Sequence, residues 1–449
     1  MNTDNIHSIY FLGIGGIGMS ALARYFLWQG KSVSGYDRAE TPLTRQLEAE
    51  GAKIHYREDP TLIPVNLDLV VYTPAVPANH SEFTILRGRQ VPIFKRAEIL
   101  GFISASIPTI AVAGTHGKTT VTSIIAHIFK TADIEFSAFM GGISTNYNTN
   151  FLGSKNPDWI IAEADEYDRS FLHLKPRIAI VTSMDPDHLD IYGSYEKLHE
   201  SFRLFTENVS KDGNVIVHSS LEKLARNHSG RMDYALGAKA DLSLSDVKLS
   251  QGKYYCKLNF RNRNYDFEFS VPGRYNLENA VAAAAASMAA GISWDFIQQA
   301  LSTYRGVKRR FEIHVNRPDR VYVDDYAHHP NEIKACISAA REFFPGKKLT
   351  GIFQPHLFSR TKDFADGFAE ALDQFDEAIL MPVYPARELP IEGVGSELIF
   401  QKLKNKNKWL IKDRDLLKFV EDHDFEILIT MGAGDIDQFV EPIKERLEL

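Results

Sequence analysis

The chain has 449 residues, enough for about three domains, and its 44% hydrophobic and 24% charged content excludes a disordered or fibrous protein. A net charge of −7 argues against a general nucleic-acid binder, which would carry a basic face. Cys256 and Cys336 are the only cysteines and lie far apart, which argues against a disulfide framework and for a reducing compartment.

Met1 to Tyr10 lacks the basic and then apolar character of a secretory leader. The most apolar stretch, Ala280 to Ile292, is mainly alanine and too short for a bilayer. A cytoplasmic protein without membrane or nucleic-acid partners is expected. Residues 1–106 form the first expected unit. Ile9 to Ile14 reads as a strand, and Gly13-Ile14-Gly15-Gly16-Ile17-Gly18 fits G-x-G-x-x-G ahead of a helix with Met19, Leu22, Ala23 and Phe26 on one face. Ser32 to Tyr36 is a second strand ending in Asp37, an acid suited to a ribose hydroxyl. Leu67 to Tyr72 is another buried strand, and Arg96-Ala97-Glu98 begins the connection onward.

Residues 107–308 form the second unit. An apolar run from Ile107 to Val112 reads as a buried parallel strand, followed by Ala113-Gly114-Thr115-His116-Gly117-Lys118-Thr119-Thr120 and a helix. Backbone N–H groups at a helix N-terminus, a compact lysine charge and a hydroxyl suited to Mg²⁺ make this an ATP-binding phosphate loop. Its one departure from G-x-x-x-x-G-K-[ST] is Val112 in place of the first glycine. Gly141 to Asn146 reads as a polar turn. Trp159 to Ala162 and Ile178 to Thr182 are strands whose ends carry Glu163-Ala164-Asp165-Glu166-Tyr167-Asp168 and Asp185-Pro186-Asp187-His188. Both clusters face the phosphate loop if the sheet is parallel. Lys239 to Val271 alternates, as a small antiparallel sheet would. Asn276 and Asn279, three apart at the start of the alanine-rich helix, suit either helix capping or ligand contact.

Residues 309–449 form the third unit. Val321 to Val323 runs into Asp324-Asp325-Tyr326-Ala327-His328-His329, and Leu349 to Phe353 into Gln354-Pro355-His356. Ala378 to Met381 and Ile427 to Met431 complete an α/β pattern. The adjacent His328 and His329 point apart on an extended chain, which disfavours zinc. Lys402 to Lys408 reads as an exposed, mobile basic stretch.

Two nucleotide-type loops in different units narrow the chemistry. A nicotinamide-dependent oxidoreductase uses Gly13–Gly18 and leaves Lys118, Glu163 and His188 idle; a simple ATPase or kinase does the reverse. A ligase holding a nucleotide-linked substrate and ATP uses both.

The motifs themselves, Gly13–Ser20, Ala113–Thr120, Glu163–Asp168, Asp187-His188, Arg274-Tyr275-Asn276, Arg309-Arg310-Phe311, Asp324-Asp325-Tyr326 and Gln354-Pro355-His356, resemble the Mur ligase family in order and along essentially the whole chain. The resemblance is closest to the alanine-adding members and implies an α/β protein of three domains. These are a Rossmann-like UDP-sugar domain, a central ATPase-type parallel sheet with a small antiparallel sheet, and a Rossmann-like C-terminal domain that receives the amino acid. It implies ATP-dependent joining of L-alanine to the lactyl carboxylate of UDP-N-acetylmuramate through an acyl phosphate, in peptidoglycan precursor synthesis by a monomer or homodimer. A murein-tripeptide recycling ligase is the near alternative. By resemblance, Gly114 to Thr120, Asn276, Asn279, Arg310 and Asp325 bind ATP, with Lys118, Glu163, His188 and Arg310 catalytic. Thr119, Glu163 and His188 ligate two Mg²⁺ ions; Gly13, Gly15, Gly16, Gly18, Met19 and Asp37 hold the UDP-sugar; His328, His329, His356 and Arg360 form the alanine pocket. Leu357 stands where many relatives have arginine, and Arg203 where several have a carbamylated lysine.

Overall fold

The computed structural model describes residues 5–185, 192–237, 239–386 and 388–448. Its internal contacts divide it into two compact units, one holding the chain up to Lys248 with Tyr254–Ser270 and Leu277–Arg305, the other holding Leu249–Lys253, Val271–Asn276 and Gly306–Leu449.

The first unit contains two sheets. In chain order the first has β1 (Ser8–Leu12), α1 (Ile17–Trp28), β2 (Ser32–Tyr36), α2 (Pro42–Ala49), β3 (Lys53–His55), β4 (Leu69–Tyr72), α3 (Ser81–Gly88), β5 (Ile93–Lys95) and α4 (Arg96–Ser106). Its five strands are all parallel in the order β3-β2-β1-β4-β5. The order reverses direction at β1, and the glycine-rich loop leaves from that strand, which is where open parallel sheets bind ligands.

The second sheet begins with β6 (Thr109–Ala113), α5 (Lys118–Thr131), β7 (Phe136–Ser144), β8 (Thr149–Leu152), β9 (Trp159–Glu163), β10 (Ile178–Val181) and α6 (Tyr195–Glu207). It continues through β11 (Asn214–His218), β12 (Arg231–Leu236), β13 (Leu242–Ser250), β14 (Lys253–Phe260) and β15 (Arg263–Phe269), followed by α7 (Arg274–Ala289) and α8 (Trp294–Thr303). The order is β15-β14-β13-β12-β11-β10-β6-β9-β7-β8. The expected small antiparallel sheet is therefore not separate: β13 pairs in parallel with β12, so β14 and β15 extend the central sheet. Gly141 to Ser144 is likewise the end of β7 rather than a turn. Its glycines hide strand character because they lack the branched side chains that signal it.

Helix α1 is buried without interruption from Met19 to Phe26, because it packs on its own sheet and on β7 and β8 together. Tyr25 meets Phe139 at 5.5 Å and Phe151 at 6.3 Å between ring centres. Arg24, 2% exposed, pairs with Glu50 at 2.7 Å and donates to Asn150. The Asn150 amide in turn donates to Ile17 O at 2.6 Å. A buried cation so fully partnered ties the first sheet to the edge of the second. Ala280 to Ala286 is almost wholly buried in α7, and small side chains permit that close packing.

The second unit carries β16 (Glu312–Asn316), β17 (Val321–Asp325), α9 (Pro330–Phe343), β18 (Leu349–Phe353), α10 (Phe358–Asp363), α11 (Ala365–Leu372) and β19 (Glu377–Leu380). After these come α12 (Ser396–Lys402), β20 (Lys408–Leu410), α13 (Asp413–Asp422), β21 (Ile427–Met431) and α14 (Val440–Glu448). The six-stranded order is β16-β17-β21-β18-β19-β20, with β16 alone antiparallel. The Lys402–Lys408 stretch is held rather than loose. Lys408 Nζ donates to Phe400 O and Leu403 O, and Asp373 accepts from the Lys404 and Asn405 N–H groups. Among the described residues no helix is long and apolar enough to cross a membrane.

Candidate active site

Strand β6 ends at Ala113 and α5 starts at Lys118, so the intervening loop presents a helix N-terminus at the carboxyl edge of the central sheet. Gly114 has φ +131° and Gly117 φ +82°, backbone states that strain a residue with a Cβ. At 114 a Cβ would also strike Thr182. The loop's outer side is laced to residues after β10. Thr115 N–H donates to Ser183 O at 3.2 Å, His116 N–H to Ser183 Oγ at 2.9 Å and Asp185 N–H to Thr115 Oγ1 at 3.0 Å. His116 Nε2 lies 3.4 Å from Asp185 Oδ2.

Lys118 Nζ donates to Gly114 O at 2.7 Å and to both Glu166 oxygens at 2.8 Å. Burial alone would lower its pKa, but Glu166, then Asp165 and Glu163, outweigh it and hold the ammonium above the usual lysine range. Thr119 Oγ1 donates to Glu163 Oε2 at 2.8 Å, and the same oxygen accepts Gly141 N–H at 2.9 Å. Thr120 is buried in the first turn of α5. Asn279 closes over Gly117, its Cγ 3.3 Å from where a Cβ would stand. His188 lies outside the described residues. Arg203 sits half-exposed on α6, paired with Glu200 and Glu207.

At the first loop, Gly13 N–H and Ile14 N–H both donate to Tyr36 O, at 2.8 and 3.1 Å. Gly15 N–H donates to Asp37 Oδ2 at 2.7 Å. Gly16 precedes α1 with no side chain capping it, which leaves the first N–H groups available to an anion. A cavity of about 270 Å³ opens from Gly16, Gly18 and Met19 past Thr73 and Arg96 to Gly141, Glu163 and Asp165. The glycine-rich loop and the carboxylate touching Thr119 thus share one cavity.

In the second unit, Asn276 donates to Pro272 O at 2.7 Å, a contact that fixes the entry to α7. Asp325 accepts Phe311 N–H and Ala327 N–H, each at 2.7 Å, and burial pushes its carboxyl up to about 7. The Arg310 guanidinium lies 5.1 Å from the centre of the Tyr326 ring. The His328 ring stands 6.3 Å from that of His356, which stacks on Tyr384. Burial lowers the His328 pKa, with Glu332 opposing and Arg360 assisting. His329 instead turns to the start of α9, accepting Asn331 N–H at 3.3 Å. Leu357, with φ +69°, bends the chain into the helix that carries Arg360.

In the sequence Glu166 stands as one acid among several and Arg96 as the start of a connection. A lysine in a phosphate loop requires a nearby counter-charge when buried, and that was the available signal for Glu166.

Three family profiles match the chain in succession: "Mur ligase family, catalytic domain" over residues 8–107, "Mur ligase middle domain" over 112–287 and "Mur ligase, glutamate ligase domain" over 309–434. The UDP-N-acetylmuramate–L-alanine ligase of Flavobacterium psychrophilum is 45% identical, covering 100% of both chains. That of Cytophaga hutchinsonii is 44% identical over 99% of this chain and 97% of its own. Among solved structures, the UDP-N-acetylmuramate–alanine ligase of Thermotoga maritima superposes with a TM-score of 0.85 at 29% identity, covering 98% of this chain and 99% of its own. A murein peptide ligase from Psychrobacter arcticus shares the fold with a TM-score of 0.72 at 22% identity, over 98% of each chain.

Proposed function

The chain belongs to the Mur ligase family, and on that premise we propose that it joins L-alanine to the lactyl carboxylate of UDP-N-acetylmuramate at the expense of ATP. The observation that carries the reading is the shared cavity: Gly16 and Gly18 line one end, and Glu163, bonded to Thr119 of the phosphate loop, lines the other. A nucleotide-linked acid and a triphosphate can meet there.

The lactyl carboxylate oxygen attacks the γ-phosphorus while the bond to the β-phosphate oxygen breaks, giving ADP and an acyl phosphate. The alanine amine, after losing one proton from its ammonium form, attacks the acyl carbon; phosphate leaves, and the nitrogen loses a second proton to solvent and keeps one as the amide N–H. The first encounter is between like charges, which at ~4 Å repel by about 4 kcal/mol at an effective dielectric near 20. Lys118, kept charged by its acidic neighbours, offsets that repulsion at the γ-phosphate. The α5 N-terminus supplies the rest, while the Thr115 and His116 N–H groups are held by Ser183 and fix the loop's shape.

Thr119 and Glu163 are hard oxygen donors in mutual contact, a set that suits Mg²⁺ with phosphate oxygens and waters as its other ligands. Bound there, Mg²⁺ would neutralise the phosphates, and His188 is the proposed ligand of a second ion. Asn279 packs over the loop glycine on the nucleotide side; Asn276, Arg310 and Asp325 are the proposed further ATP contacts. Burial keeps His328 neutral, so in the amino-acid pocket Arg360 is the fixed charge offered to the alanine carboxylate. We take domain boundaries near residues 106 and 308, a cytoplasmic setting, and a monomer or homodimer. Incubation of the purified protein with UDP-N-acetylmuramate, ATP and Mg²⁺, with either L-alanine or the murein tripeptide, tests the reading. Phosphate release dependent on L-alanine is expected; release only with tripeptide overturns it.

A further inference from the structure

Arg96 is the first residue of α4, at the carboxyl end of β5 in the parallel first sheet. The turn that holds it is fixed, because Lys95 N–H donates to Glu98 Oε2 at 2.7 Å. From there its side chain lies across the first turn of α1. A Cβ on Gly18 would stand 2.8 Å from Arg96 Nη1 and 3.0 Å from Cζ, so the last glycine of the loop makes room for a guanidinium. Among the described residues lining the cavity, Arg96 is the one cation, and Glu163 and Asp165 line it as carboxylates. Its ion pair with Asp165 spans 3.9 Å, longer than a hydrogen bond, and its side chain keeps 28% exposure.

We propose that Arg96 is a substrate-binding residue whose guanidinium, lying beside the first turn of α1, grips the diphosphate of the nucleotide-sugar together with that helix N-terminus. This rests on the functional reading above. A cavity walled by two carboxylates repels an anionic substrate unless a cation stands at its entrance. The planar fork of arginine matches two phosphate oxygens at once. The long Asp165 contact orients the fork without occupying it.

Titration calorimetry with UDP, which carries the diphosphate but neither sugar nor lactyl carboxylate, isolates this contact. Arg96→Ala is expected to weaken UDP at least tenfold, with Arg96→Lys in between. In turnover, the KM for UDP-N-acetylmuramate should rise at least tenfold, while kcat and the KM values for ATP and L-alanine stay within threefold. An inter-sheet staple with Asp165 alone would lower the unfolding temperature of R96A and leave UDP affinity untouched. UDP affinity within twofold of wild type therefore overturns the proposal, including the case where only the lactyl-bearing substrate weakens. A wild-type chain that binds UDP but forms no product with L-alanine defeats the functional reading and leaves the Arg96 result standing on UDP. A wild-type chain that binds no UDP defeats both.

Discussion

Lys118 directs its three ammonium protons to Gly114 O and the two oxygens of Glu166, which is every donor it has. A phosphate must displace at least one of these. Two substitutions separate the consequences. Lys118→Ala removes the charge proposed to face the γ-phosphate, and kcat should fall at least ~10²-fold, or about 3 kcal/mol of barrier; steady-state phosphate release measures it. Glu166→Gln keeps the shape and one acceptor but removes the competing anion. ATP should then bind several-fold more tightly by titration, while the melting temperature falls because a buried ion pair is broken. Weaker ATP binding would assign Glu166 a structural role only. The lysine and the glycines were legible because strand, loop and helix follow one another within a dozen residues, and Glu163 because it ends a buried strand of a parallel sheet. Glu166 and Arg96 were not, since only the folded chain brings Glu166 against Lys118 and Arg96 against Gly18.

At the level of elements, α5 is anchored far from the phosphate loop at its N-terminus. His127 Nδ1 contacts Tyr147 Oη at 2.6 Å and Nε2 contacts Thr303 Oγ1 at 3.0 Å, joining the helix to the β7–β8 turn and to α8. Burial lowers the imidazole pKa from 6.5 to about 4. The folded state thus holds the ring neutral where the unfolded chain would protonate it, so stability is full above pH 6.5 and is lost as pH falls toward 4. Replacing His127 with alanine should cost about 1–3 kcal/mol near neutrality by stranding its partners. Chemical denaturation at several pH values should show the gap to wild type narrowing between pH 6.5 and 4; a constant gap would exclude the ring from the acid response. Strands such as Ile178–Val181 and Ile427–Met431 were readable, because a parallel strand buried on both faces is a largely apolar run, whereas Ser32–Tyr36, with two serines and a glycine, is legible only from its place after the glycine-rich loop and helix. The glycines of β7 concealed its last residues, and nothing local in β13 to β15 indicates that they join the larger sheet, because pairing of β13 with β12 is a long-range choice.

At the scale of the whole molecule, a chain of net charge −7 must gather a triphosphate, a diphosphate and a carboxylate. General attraction is unavailable, so each anion needs its own local cation, and the two nucleotide loops supply theirs differently. Around Gly13 to Gly18 the means are the protein's own: an uncapped helix N-terminus and Arg96 beside Gly18. Around Gly114 to Thr119, Lys118 is flanked by Glu163, Asp165 and Glu166, an acidic surround that fits a divalent ion and repels phosphate without one. Chelation should therefore act on one site and spare the other. With EDTA in excess, product formation from UDP-N-acetylmuramate and L-alanine should fall to background and ATP affinity should drop at least tenfold, while UDP affinity stays within twofold. Restoring Mg²⁺ should recover both losses. Turnover that persists in EDTA would mean that the charge at Glu163 is neutralised by the chain alone, and equal loss of UDP binding would mean that the first loop, too, depends on the metal.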